Sequence, residues 1–184
     1  MSAPTPVTVA RWAVLAILVL VLVATFRGRL FHRAVALRPP EKRAVMPVLV
    51  LKDFDGGSWS TRERRGEVML VNFWATWCPP CREETPDLVA LQQRYGSQGF
   101  TVVGISMDTN PREVVPGFAR KFKVNYPMMV PAPGSTLADA IDSLPTSFLL
   151  DRSGRVANSF VGQVSSEELA GQIEALLREG AAAK

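Results

Sequence analysis

The sequence predicts an α/β domain built on a mixed sheet with helices on both faces, preceded by one membrane-spanning helix. Three observations carry that prediction. Val68 to Trp74 is almost continuously apolar, the pattern of a central strand covered on both sides. A Cys78-Pro79-Pro80-Cys81 sequence follows at once, where a helical stretch begins. Strand-like and helix-like segments then alternate toward the C-terminus and close with a hairpin and a helix.

The first element is the N-terminal segment. Trp12 to Phe26 is apolar apart from Thr25, and as a helix it spans ~22 Å at ~1.5 Å per residue. That is short for a hydrocarbon core of ~30 Å. Adding Val7 to Ala10 extends the span to residues 7–26, with Arg11 near one end, where its stem can snorkel to the interface. Two readings remain, a retained anchor and a cleaved signal peptide. The anchor is favoured because Arg27, Arg29 and Arg33 separate the apolar run from Ala34-Val35-Ala36, the candidate cleavage site. A buried core helix is disfavoured because nothing polar marks an outer face. The chain thus divides into a tail and anchor (1–26), a basic, proline-containing linker (27–46) and a domain (47–184).

Within the domain, Val48 to Phe54 reads as a short strand ending in the turn Asp55-Gly56-Gly57, and Ser60 to Arg65 as a polar connection of about one helical turn. The buried strand 68–74 leads into a helix from about Cys78 to Tyr95, stopped before Gly96. Phe100 to Ile105 is a second buried strand. Pro111 to Lys123 is a helix that Pro116 and Gly117 are expected to interrupt. Tyr126 to Val130 is a short strand, and 131–135 a loop. Thr146 to Leu150 and Val156 to Val161 form a hairpin around Asp151-Arg152-Ser153-Gly154. Ser165 and Ser166, followed by Glu168 and the spacing of Leu169, Ile173, Leu176 and Leu177, mark a capped final helix.

The net charge of +4 is concentrated in the tail. Residues 1–40 hold five arginines and no acid, which leaves 16 basic and 17 acidic residues, a net −1, for the rest. No basic field covers the domain, which argues against a nucleic-acid partner.

Two cysteines at this spacing admit four readings. Zinc needs about four ligands, yet the single His is His32 in the tail and there is no second cysteine pair. Covalent haem attachment needs a His after the second Cys, where Arg82 stands. A structural disulfide across so small a loop removes little chain entropy. Redox exchange fits the strand–turn–helix context and is the preferred reading, with the Cys78–Cys81 disulfide as the redox centre and neither metal nor separate cofactor.

Position then suggests roles. Cys78 at the helix start meets free amides and the positive end of the dipole, which stabilise a thiolate. It is the expected attacking sulfur, and Cys81, one turn inside, the resolving one. Pro79 and Pro80 remove two amide donors, so the Cys81 N–H is the nearest that remains. Glu83 and Glu84 oppose a nearby thiolate and Arg82 supports it; for Arg82 and Glu83 a solvated helix start is the simpler reading. The balance suits a reductant or a mild exchanger.

The run Val71-Asn72-Phe73-Trp74-Ala75-Thr76-Trp77-Cys78-Pro79-Pro80-Cys81-Arg82-Glu83-Glu84-x-Pro86, with Leu144-Pro145-Thr146-Ser147-Phe148-Leu149-Leu150-Asp151-x-x-Gly154 later, resembles the membrane-anchored thioredoxin-like proteins of the TlpA/ResA type, within the redoxin superfamily. The resemblance covers residues 47–180. It implies a thioredoxin-like fold with an added N-terminal β-hairpin, on the periplasmic side of a bacterial cytoplasmic membrane. It also implies reduction of client disulfides, for example in apocytochrome c before haem attachment, with electrons from a membrane-borne thiol donor. Pro145 matches the cis-proline beside the active site, and Leu144 the backbone that pairs with a client strand; a trans proline opening a strand is the alternative. With these, Trp77, Pro79 and Pro80 form the expected client-binding surface. Glu84 matches an acid that tunes the cysteines, against the alternative of a surface charge. The apolar Met128-Met129-Val130-Pro131-Ala132-Pro133 stretch departs from the family pattern and leaves the client open. The arginines after residue 26 conflict with an outside domain under the positive-inside rule.

Rival functions fare less well. A peroxiredoxin-type peroxidase wants Pro and Thr where Val71 and Ala75 stand, and a copper-delivering factor wants a distal His in the domain. A non-catalytic binding module of the same fold does not need an intact cysteine pair.

Overall fold

The computed structural model describes residues 18–19, 37–136 and 138–181, and divides the chain into two units, 1–35 and 36–184. Of the first unit only Leu18 and Val19 are described, and both are helical. The expected membrane span, 7–26, and the first part of the linker otherwise lie outside the described residues. Among the described residues no helix is long and apolar enough to cross a membrane.

The second unit holds a seven-stranded mixed sheet in the order β2-β1-β5-β4-β3-β6-β7. The strands are β1 (Val50–Lys52), β2 (Ser58–Ser60), β3 (Val68–Trp74), β4 (Phe100–Ser106), β5 (Met128–Pro131), β6 (Thr146–Leu150) and β7 (Val156–Val161). The helices are α1 (Pro79–Tyr95), α2 (Pro111–Phe122) and α3 (Ser166–Ala181). This is a thioredoxin-like α/β arrangement. The β1–β2 hairpin of the resemblance is present, with Val50 opposite Ser60. Its turn is held by Asp53, whose Oδ1 accepts from the Asp55 and Gly57 amides at 3.0 and 2.6 Å. Ser60, read from sequence as the start of a polar connection, is the last residue of the second strand of that pair.

Strands β3 and β4 lie side by side in parallel and are buried at every position, as the unbroken apolar runs required. The side chains of β3 alternate. Val68, Leu70 and Trp74 join the buried residues of all three helices, while Met69, Val71 and Phe73 join Leu49, Leu51, Trp59 and Ile105 on the other side. Among the described residues the α-helices therefore lie on one face only, where the sequence predicts helices on both. Two successive parallel crossovers, β3-α1-β4 and β4-α2-β5, advance in the same direction across the sheet. Right-handed connections then set both helices on one side. Extended chain around residues 46–49 and the segment near Ile141 pack on the opposite side.

Helix α2 runs unbroken through Pro116 and Gly117, contrary to the interruption expected there. The proline costs one amide donor early in the helix, while Val115 and Phe118 are buried and Phe118 packs on Trp74 at 4.6 Å between ring centroids. Helix α3 begins as predicted, with Ser165 Oγ accepting from the Glu168 amide at 3.2 Å. The segment ahead of β1 is tied down by the buried Arg43, which bonds Glu179 at 2.7 and 2.9 Å and Asp151 at 3.1 Å.

One glycine has a packing reason. A Cβ on Gly104, in the middle of β4, would stand 3.0 Å from Trp74 Nε1 and 3.3 Å from Tyr126. Gly104→Ala is expected to destabilise the domain by about 1–2 kcal/mol, read as a lower urea midpoint with the m-value retained. An unchanged midpoint would show that these rings are not seated on the bare backbone.

Candidate active site

Strand β3 delivers the chain into a tight turn, and α1 starts from it with Cys78 as N-cap in extended conformation. Pro79 and Pro80 occupy the first two helical positions, where an N–H has no intrahelical partner. The first amide left is that of Cys81, and it donates to Cys78 Sγ at 3.3 Å. Cys78 and Cys81 are joined as a disulfide, with S–S 2.04 Å and Cα–Cα 5.3 Å. Cys81 is buried within the helix, and Cys78, also largely buried, borders a cleft.

The turn is fixed from the neighbouring strand. Asp108, just past β4, accepts from the Thr76 amide at 3.1 and 3.2 Å and from the Thr76 hydroxyl at 2.6 Å. The Ser106 hydroxyl donates to the same carboxylate at 2.9 Å. The Met107 amide donates to the Trp74 carbonyl at 2.8 Å. An ionised carboxylate can take several donors at once, so one side chain aligns the approach to Cys78.

A cleft of about 360 Å³ opens beside the disulfide, lined by Trp77, Cys78, Pro79, Pro80, Met107 and Ile141–Leu144. Trp77 stands on its rim with 66% of its surface exposed. The Leu144–Pro145 peptide bond is cis, so the trans alternative does not apply. Trp77, Pro79, Pro80 and Leu144, expected from sequence to meet a client, come together here, with Pro145 following Leu144 in the chain. Arg82 and Glu83 are exposed.

Glu84 is not a surface charge. It lies on the buried face of α1 with Cys81, one turn along from it, and is only 3% exposed. The Asn72 amide donates to its Oε1 at 2.8 Å and to Ser147 Oγ at 3.0 Å. Burial pushes the Glu84 carboxyl up to about 7; Asn72 works against that shift and the charge of Asp87 adds to it. Tyr126, in hydrogen-bond contact with Thr85, is raised by its own burial and then by the Glu84 charge. Sequence reasoning missed Asn72, Asp108 and Ser147. Asn72 had a signal, as the one polar residue in the apolar run 68–74, and Ser147 had one in the motif around Pro145. Among the described residues no group of three His, Cys, Asp or Glu side chains forms a metal site.

Comparison with known proteins places these features among relatives. Residues 41–176 match the family model described as Redoxin. The chain is similar to the thiol-disulfide oxidoreductase ResA of Geobacillus thermodenitrificans, 30% identical over 131 residues that cover 71% of this chain and 75% of the relative. It is also similar to the thioredoxin-like protein YneN of Bacillus subtilis, 30% identical over 124 residues covering 67% and 73%. A solved thiol:disulfide interchange protein of the thioredoxin family from Chlorobium tepidum TLS superposes with TM-score 0.64 at 34% identity, covering 74% of this chain and 97% of that one.

The buried carboxyl sets a pH dependence of stability. Its folded value of about 7 lies above the ordinary 4.5, so the folded state holds the proton more tightly than the unfolded one. The penalty for burying the charge is full above pH 7, is relieved as the pH falls between about 7 and 4.5, and is absent below. At 1.36 kcal/mol per pH unit this is about 3 kcal/mol. Denaturation of the oxidised protein at about pH 8 and at pH 4.5 should show that gain on acidification, and Glu84→Gln should lose it. An equal pH dependence in both proteins would place the carboxyl in water.

Proposed function

The chain belongs to the Redoxin family and is a thiol–disulfide oxidoreductase, and on that premise we propose that it reduces disulfides of extracytoplasmic client proteins, in the manner of cytochrome c maturation. The observation that carries the proposal is the placement of the pair. Cys78 caps the helix with one amide aimed at its sulfur and borders an apolar cleft, while Cys81 sits one turn inside.

Exchange proceeds in two displacements. The Cys78 thiolate attacks one sulfur of the client disulfide. A Cys78–client bond forms, the client S–S bond breaks, and the first client thiolate leaves and takes up a proton. Cys81 then gives up its proton, with the Glu84 carboxylate as acceptor, and its thiolate attacks Cys78 Sγ. The Cys78–Cys81 bond forms and the second client thiolate leaves. Two electrons have passed from the enzyme dithiol to the client. A membrane-borne dithiol donor restores the pair by the same steps in reverse. Glu84 is suited to this transfer because burial holds its proton affinity near neutrality.

Client contact is assigned to the exposed Trp77 face, to Pro79 and Pro80, and to the backbone at Leu144 beside Pro145. The apolar segment 7–26 is assigned as a single-pass anchor, with the domain on the outer side of the cytoplasmic membrane. Arg27, Arg29 and Arg33 weigh against that orientation. The family resemblance supports it, as does the advantage of holding a reductase close to a membrane-bound donor.

Full-length Cys81→Ser protein expressed in a bacterial host should accumulate mixed disulfides through Cys78 with exported proteins, identified by mass spectrometry after non-reducing separation. Cys78→Ser should trap none. Adducts formed through Cys81 would reverse the assigned roles, and capture confined to cytoplasmic proteins would overturn the outside placement.

A further inference from the structure

Asn72 is the one polar residue in β3, a strand buried along its whole length. A polar group placed in the centre of a sheet costs stability unless its hydrogen bonds are made there. Its partners come from two other elements. One is Glu84 on α1, at 2.8 Å; the other is Ser147 on β6, at 3.0 Å. Ser147 is also the residue directly opposite Asn72 across the β3–β6 ladder, and it lies two positions after Pro145. Asn72, Glu84 and Ser147 are each no more than 3% exposed. The chemistry fixes the orientation of the amide. An ionised carboxylate only accepts, so the NH2 side of Asn72 must face Glu84, while a serine hydroxyl serves either way.

We propose that Asn72 is a positioning residue of the redox site: its amide holds the Glu84 carboxyl on the face of α1 that carries Cys81, and is itself oriented by Ser147 on the strand that follows Pro145. The inference rests on Glu84 as the proton acceptor for Cys81. It adds that the acceptor is aimed, and its proton affinity set, from the sheet rather than from its own helix. Two opposing influences meet at the carboxyl. Burial favours the protonated form and the Asn72 hydrogen bond favours the ionised one. The titratable groups around it are Asp87 and, in the reduced protein, Cys81 on the same helix, and Tyr126 from the segment before β5. β3 and β6 contribute the uncharged amide and hydroxyl. Removing the amide leaves burial and Asp87 unopposed, so the carboxyl must hold its proton to higher pH. It then accepts the Cys81 proton only in more alkaline solution.

The test follows the Glu84 carboxyl by NMR of the full-length, oxidised protein in detergent, labelled with 13C at the glutamate δ-carbons and assigned with Glu84→Gln. No thiol titrates in that state and no client is needed. Asn72→Ala should raise the midpoint by about one unit, the size of one hydrogen bond to a carboxylate. Ser147→Ala, which keeps the amide and removes its second partner, should raise it by less. In the reduced proteins the pH profile of Cys81 alkylation should shift in the same direction. An unchanged midpoint in Asn72→Ala, with only thermal stability lowered, would reduce Asn72 to a structural residue. If that variant does not fold, Ser147→Ala decides, and an unchanged midpoint there overturns the proposal. Failure of the exchange reading has a different signature: trapping through Cys78 is lost while the carboxyl shift remains.

Discussion

A single hydrogen bond, from the Cys81 amide to Cys78 Sγ, links the shape of this domain to its chemistry. It exists because the helix begins at Cys78 and because two prolines remove the amides that would otherwise come first. Strand β3 sets where that helix begins, Asp108 holds the turn between them, and the segment just past β4 supplies Asp108. A thiolate at this position meets the positive end of the helix but only one nearby donor, a weaker stabilisation than a helix start with all its amides free. That balance suits a reductant, which must release its electrons, better than a strong oxidant.

The second constraint is the carboxyl buried on the same helix face. A charge in a sheet-and-helix core is costly, and the structure meets that cost with one amide donor and a proton affinity near neutrality. The two cysteines feel this group differently. Cys78 has the helix start and the cleft, while Cys81 shares the buried face with Glu84. A proton leaving Cys81 has a nearby acceptor that is still partly ionised at neutral pH. On the proposed reading, this arrangement separates the roles of two chemically identical side chains by environment, and spends some stability at neutral pH to do so.

Much of this was legible in the sequence. The buried strands 68–74 and 100–105, the helix after Cys78, the hairpin around Asp151 and the capped last helix follow from local pattern, and the structure has all of them. The cysteine pair and Pro145 were legible as motifs. What sequence could not supply was pairing between distant segments. Asp108 lies 32 residues from Thr76 and Ser147 lies 75 from Asn72; nothing local marks Asp108 as part of the site, and the motif around Pro145 that contains Ser147 does not show its bond to Asn72. Glu84 could be suspected, but its burial depends on β3 and β6 packing over α1. The one-sided placement of the helices depends on the order of strands in the sheet, which local periodicity does not encode. Pro116 misled because a local rule about prolines was outweighed by the packing of Val115 and Phe118.

On the proposed reading, environment makes Cys78 the nucleophile. This is tested most directly by alkylating the fully reduced protein with iodoacetamide across a pH series and quantifying each cysteine by mass spectrometry. Cys78 should be modified first throughout and titrate at a lower pH than Cys81. Faster modification of Cys81, or indistinguishable profiles for the two residues, would contradict it.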